Sequence, residues 1–200
     1  MMAGPTSLHA KPVEPRPWLL EMTRTPWNYV LSFVADASVT LVLLAWSLSA
    51  FEHPGAAAAV VLFALLVYTL YEYLTHRFVF HGPRAPRVFR EGHASHHRAP
   101  EARVAMPFFT SILLAPFLLG LAMAALGPAR GALFTGVCGL GYVMYGGVHH
   151  LLHTPAVRLA PVLRLRAVHE VHHARPGCNF GVTTPLWDFV FGTWSPPRNR

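Results

Sequence analysis

Charge is scarce in this chain of 200 residues: Asp, Glu, Lys and Arg together make up 12%, and only 9 acidic groups stand against 16 basic ones. With 53% hydrophobic residues this is an oily mixture for a soluble protein of its size, and a membrane chain is the first reading. Cysteine is almost missing. Cys138 and Cys178 lie far apart with no CxxC pair, which excludes a disulfide framework, a zinc ribbon and a cysteine-ligated iron–sulfur cluster. Any metal must rest on other ligands. The Pro-rich opening segment, which holds Lys11, Arg16 and Arg24, lacks an apolar stretch followed by a small-residue cleavage site, so it reads as a cytosolic lead-in and not as a signal peptide.

What the chain does have is long apolar runs. Four are expected to span a bilayer, at about 29–51 (interrupted by Asp36), 56–74, 107–126 and 131–148. At 1.5 Å rise per residue such lengths match a hydrocarbon core of about 30 Å. Glu52 to Gly55 and Gly127–Pro128 supply the turns, giving two hairpins. The expected organisation is a cytoplasmic N-terminal segment, 1–28, and one membrane-embedded domain, 29–200, with histidine-rich cytoplasmic segments at 76–106 and 149–200. Basic residues set the orientation, because positive loops stay inside. With the N-terminus in the cytoplasm, 15 basic residues fall on the inner side and only Arg130 on the outer. Spread along juxtamembrane segments without a helix-turn-helix or RNA-binding signature, this charge suits lipid headgroups and argues against a nucleic-acid partner.

Histidine is the main excess, with 13 residues, of which 11 lie in windows totalling 21 positions. The windows hold His76 and His81; His93, His96 and His97; His149, His150 and His153; His169, His172 and His173. Residues three and four apart share a helix face, so each of the two HxxHH triplets is expected to point one way, as is the pair His149 and His153. His76 and His81 are five apart, which a regular helix cannot align; a break or π-bulge is expected between them. Every window falls at or beyond an inner membrane end, so four pieces of chain converge on one cytoplasmic-side site. Neutral imidazole suits Zn, Cu, Fe and Ni, and a binuclear centre needs roughly ten donors. Packed together without a shared cation, so many rings would leave buried donors unpaired and would repel on protonation. His9 and His53 stand outside the windows and read as ordinary polar groups, and His150, facing about 100° from His149, is left off the ligand set.

Glu72, four residues before His76, is placed to accept a ring N–H, and an acid at the end of a bilayer helix wants a partner. Asp188 reads either as a histidine partner or as a turn cap, and Glu170 as a solvated group. The stretch from Asn179 to Trp194 mixes Phe180, Trp187, Phe189, Phe191 and Trp194 with turn formers. It reads either as an interfacial aromatic belt or as a lid over the metals that forms part of an acyl tunnel.

The runs HRFVFH (His76 to His81), HASHH (His93 to His97), HHLLH (His149 to His153) and HEVHH (His169 to His173), followed by NFGVTTPLWDFVFGTW from Asn179, resemble the fatty acid hydroxylase superfamily of integral-membrane di-iron enzymes. That superfamily includes sterol desaturases and carotenoid hydroxylases. The finer likeness, over roughly residues 65 to 195, is to fatty acid 2-hydroxylases. It implies an all-α integral membrane fold of four transmembrane helices in two hairpins, with a cytoplasmic helical cap carrying a dimetal site.

The implied ligands are His76, His81, His93, His96, His97, His149, His153, His169, His172 and His173, holding two Fe ions that activate O2 to hydroxylate a C–H bond of a lipid acyl chain. Zinc is able to occupy such a site in purified protein, since the affinity series favours it. The family's Asp after Tyr145 is Gly146 here, which alters one polar contact near the metals or the substrate. The cytochrome b5-type domain fused to many relatives has no room ahead of the first span, so electrons are expected from a separate donor such as a ferredoxin or cytochrome b5-type protein. The other readings kept open are carotenoid ring or sterol-type oxidation and, from another class, a membrane metal-binding protein or transporter. Transport sites lie near the bilayer midplane, whereas these boxes sit at the inner ends of the spans.

Overall fold

The computed structural model describes residues 18–49 and 54–197, and His9 and His53 lie outside them. Among the described residues the chain is all helical. A short α1 (Trp18–Met22) leads into α2 (Pro26–Ser49), followed by α3 (Pro54–Leu74), a π-helical segment (Thr75–Phe80), α4 (Arg87–Arg98), α5 (Phe109–Leu126), α6 (Pro128–Leu152), α7 (Ala160–Ala174) and a short α8 (Leu186–Val190). Among the described residues four helices are long and apolar enough to cross a membrane: Pro26–Ser47, Pro54–Phe80, Phe109–Leu126 and Pro128–Leu152. Their large side chains face outward, with Leu62 69%, Leu113 70% and Val42 67% exposed, as lipid-facing surfaces require. The spans extend beyond their expected limits at the ends that carry histidine. The second continues through the π-helical segment past His76, and the fourth runs on to Leu152, past His149.

Helix α6 occupies the centre and packs against α2, α3 and α5. Between membrane helices no hydrophobic effect drives association, so close backbone approach matters, and α6 provides it with small residues. A Cβ at Gly136 would lie 2.9 Å from Leu44 of α2, and one at Gly141 would enter the ring of Tyr68 on α3. Ala64, Leu133 and Val137 form the buried cluster between α3 and α6. The α5–α6 hairpin is closed by Gly127, whose φ of 85° ends α5, and by Pro128 at the first turn of α6.

A buried amide ties the linker between α4 and α5 to the bundle. Asn28, fully buried on the first turn of α2, donates from Nδ2 to the carbonyls of Ala105 (3.3 Å) and Met106 (3.0 Å), and its Oδ1 accepts from the Phe108 N–H (2.9 Å). Ser32, one turn on, donates to the same Met106 carbonyl at 2.7 Å. These bonds fix where the segment after α4 re-enters the membrane as α5. Replacing Asn28 by Leu strands these backbone groups, and a loss of about 1–3 kcal/mol for each one left buried without a partner is expected, read as a lowered thermal unfolding midpoint in detergent.

Candidate metal centre

The His76–His81 spacing is resolved by a π-helical turn: the His81 N–H bonds to the His76 carbonyl at 3.2 Å, five residues back, bringing both rings to one face. The two rings lie 5.2 Å apart. From this turn, from α4, from the end of α6 and from α7, ten histidines gather into two groups. His76, His81, His93, His97 and His172 form the first, and His96, His149, His153, His169 and His173 the second, with the candidate ligand atoms of each group within 4.8 Å of one another.

Each HxxHH triplet divides between the groups, which corrects the expectation that its members point one way. On α4, His93 and His97 turn to the first group and His96 to the second; on α7, His169 and His173 turn to the second and His172 to the first. Residues four apart share a face, while the intervening histidine is rotated about 60° from the first of its triplet, enough to reach a neighbouring centre. The groups are thus interlocked, and the His97 and His173 rings stack 4.3 Å apart between them.

Nε2 of His93 lies 3.0 Å from Nε2 of His76, of His81 and of His97. His172 Nε2 is 3.1 Å from that of His81 and 3.2 Å from that of His97. In the second group, Nε2 of His169 lies 3.1 Å from those of His149, His153 and His173. One ring nitrogen carries one proton or one lone pair and cannot satisfy three such neighbours. Nitrogens about 3 Å apart are what adjacent ligands adopt around an ion at metal–nitrogen bonds of about 2.1 Å. His96 Nε2 is buried with no hydrogen-bond partner. Donor type, spacing and this orphaned atom all fit transition-metal ions, one per group.

The remaining nitrogens explain how the first group is aimed. His76 Nδ1 bonds to the Phe180 carbonyl at 2.5 Å and His172 Nδ1 to the Cys178 carbonyl at 2.8 Å, so each ring donates Nδ1–H and turns an Nε2 lone pair to the centre. Burial holds the rings neutral, helped by neighbouring imidazoles. His81 and His153 are pushed down to about 4, His172 and His173 to about 3, and His96 to about 2. His93, His97 and His169 are lowered for the same first cause.

Glu72 and Asp188 do not meet a histidine, which corrects the partner expected for Glu72 and the first reading of Asp188. Glu72 instead accepts from the N–H groups of Val182 (2.7 Å) and Thr183 (2.9 Å) and from the Thr183 hydroxyl (2.5 Å). Asp188, fully buried, accepts from the N–H groups of Phe180 and Gly181, both at 2.8 Å, and from the Thr193 hydroxyl at 2.7 Å. Asn179, at φ 55°, donates to the Val168 and Ser195 carbonyls. These three side chains pin the strap 178–183, whose carbonyls orient His76 and His172. Tyr145 stacks on His149 at 5.5 Å. His150 is exposed and belongs to neither group, and Glu170 is exposed as expected. A Cβ at Gly146 would meet nothing within 4 Å, so the side chain that the family carries there leaves open space in this chain.

The aromatics divide between the two readings of their stretch. Phe180 is buried with its ring 5.8 Å from that of His76, and Trp187 donates to the Thr69 hydroxyl on α3, whereas Phe189 and Phe191 are 58% and 47% exposed.

In the sequence Arg166 is only one of the 15 basic residues assigned to the inner side. From α7 its guanidinium donates to the carbonyls of Leu151, Leu152, Thr154 and Val157 at 2.8–3.1 Å, capping the end of α6. One side chain thereby clamps the helix bearing His149 and His153 to the helix bearing His169 and His173. Backbone carbonyls carry no sequence signal, so neither this clamp nor the strap bonds were visible beforehand.

An integral-membrane, all-helical protein with two imidazole clusters points to a membrane metalloprotein. The profile of the fatty acid hydroxylase family matches residues 61–193, and the chain belongs to that family. It is 32% identical over 184 residues to the dihydroceramide fatty acyl 2-hydroxylase FAH1 of Arabidopsis thaliana, covering 84% of this chain and 76% of that one. It is 38% identical over 151 residues to the ceramide very long chain fatty acid hydroxylase SCS7 of Saccharomyces cerevisiae, covering 66% and 37%. Among solved structures, full-length scs7p, of which only the hydroxylase domain is visible, superposes with a TM-score of 0.71 at 31% identity, covering 92% of this chain and 72% of that one. The chain is accordingly an oxidoreductase that hydroxylates lipids.

Replacing Arg166 by Ala is expected to weaken metal binding at the second group about 10–100-fold while sparing the first, measured as equilibrium metal content against a competing chelator. The metal-free protein has a defined pH response. Its imidazoles titrate lower when folded than when unfolded, so the unfolded chain binds more protons as pH falls below about 6.5, and stability declines from there toward pH 4. A thermal midpoint that stays flat between pH 7 and 4 would contradict this.

Proposed function

We propose that the chain 2-hydroxylates lipid acyl chains, using two iron ions held by the ten histidines, O2, and electrons from a separate carrier such as a ferredoxin or cytochrome b5-type protein. The observation that carries this reading is the convergence of the family's four histidine boxes into two five-ring groups with nitrogens about 3 Å apart. Relatives named as acyl 2-hydroxylases favour the 2-position over carotenoid ring or sterol-type oxidation. The transporter reading loses support because the rings lie at the ends of α3 and α6 and on α4 and α7, away from the middle of any span.

Iron held by these histidines would supply the redox chemistry by which O2 and two electrons from the carrier replace an unactivated C–H hydrogen by a hydroxyl and release water; zinc, which lacks that redox chemistry, is its expected impostor after purification. The chain's residues do the rest. Neutral imidazoles offer lone pairs without adding charge that would have to be neutralised. His76 and His172 hold their tautomers by giving Nδ1–H to the Phe180 and Cys178 carbonyls. The strap carrying those carbonyls, with Phe180 and Val182 buried in it, keeps water from His76 and His172. The excess of basic residues in the juxtamembrane segments supports a centre at the cytoplasmic membrane face, with the N- and C-termini on the same side. An acyl chain then reaches it from the bilayer without leaving apolar surroundings.

Expression in a host supplied with a suitable reductant is expected to yield 2-hydroxy acyl chains in its lipids, measured by mass spectrometry, and the His172→Ala variant is expected to abolish them and to retain less metal. Hydroxylated carotenoids or sterols in their place would move the assignment to a sister activity, and unchanged turnover in His172→Ala would remove the ligand set.

A further inference from the structure

The two ring groups differ in what covers them. Over two rings of the first lies the pinned strap: His76 is 1% and His172 0% exposed, each tied through Nδ1 to a strap carbonyl, while His81 and His97 are partly exposed. The second opens on a cleft of about 560 Å³ that reaches His153, His169 and His173, while no ring of the first group lines it. Glu101 and Glu170, both exposed, lie in its wall together with Ala99. Arg166 also lines the cleft, but its guanidinium is directed to the carbonyls at the end of α6. Among the described residues His169 Nδ1 is buried with no hydrogen-bond partner, as is His97 Nδ1 of the first group, so both rings lack the tether that fixes His76 and His172.

Resting on the reading that each group holds one ion, we propose that this cleft is the route by which a divalent transition-metal ion enters and leaves, so that the second group exchanges its ion with the aqueous phase while the first retains its own. The chemistry of the lining suits such a passage. Carboxylates attract and transiently bind a hydrated divalent cation, and their two negative charges offset the guanidinium beside them. Imidazole nitrogen then holds first-row metals more firmly than oxygen does, so transfer runs inward to His153 and His173, which face the cleft. Release from the first group requires His76 and His172 to let go of the ion, and the strap that Glu72 and Asp188 pin holds both rings in place until those bonds break.

The test uses the purified full chain in detergent, loaded with Zn2+ and challenged with excess EDTA. Two release phases of one ion each are expected, separated by about ten-fold or more because only the slow one needs local opening. Ala99→Trp, at an exposed position, narrows the cleft and should slow the fast phase alone. The conservative pair Glu101→Gln and Glu170→Gln should reduce the rate of Zn2+ uptake about ten-fold at low ionic strength, less so in high salt, and leave the final content at two ions. A single release phase overturns the proposal, as do two phases that neither Ala99→Trp nor the glutamine pair alters. Two ions exchanging at one rate would defeat the inlet and leave the two-metal reading standing; fewer than two ions bound would defeat both.

Discussion

The constraint on which the rest of the molecule depends is the crowding of imidazole nitrogens. Ten rings meet in two groups, and in each a central nitrogen, of His93 or of His169, has three others about 3 Å away. Hydrogen bonds cannot satisfy such an arrangement, and protonation would make the rings repel. A cation at each centre would resolve the problem by giving every lone pair the same partner. Much of the surrounding architecture serves to hold neutral rings in a place where, without that ion, they would oppose one another.

Two devices supply the holding force, one for each group. Glu72, Asp188 and Asn179 are buried polar residues that spend their hydrogen bonds on the backbone of the strap, and the strap in turn presents the Phe180 and Cys178 carbonyls to His76 and His172. A carboxylate that accepts from two backbone N–H groups is stabilised where it is buried, and it makes an irregular segment rigid. The second group relies on Arg166, which satisfies the bare carbonyls at the end of α6 and joins that helix to α7. The membrane bundle beneath acts as the platform: α6 admits α2 and α3 closely through Gly136 and Gly141, setting where His149 and His153 emerge.

The interlocking of the two HxxHH triplets ties the groups together. Because α4 and α7 each donate two rings to one group and one to the other, neither centre can form without both helices in place. The cap is therefore a single cooperative unit, and the His97–His173 stack marks the seam where the two centres adjoin.

The amino-acid sequence by itself determined the four spans, because apolar length is a property of consecutive residues, and it pointed to the histidines that gather into the two groups, because they lie in short local windows. It also required an irregular turn between His76 and His81, since a five-residue step cannot share a face of an α-helix. Tertiary structure alone decided how each triplet divides, what Glu72 and Asp188 bind, and that Cys178 contributes its carbonyl and Arg166 its guanidinium. Those choices depend on helix-to-helix placement and on backbone atoms that every residue possesses alike, so no pattern of side chains along the chain encodes them in readable form.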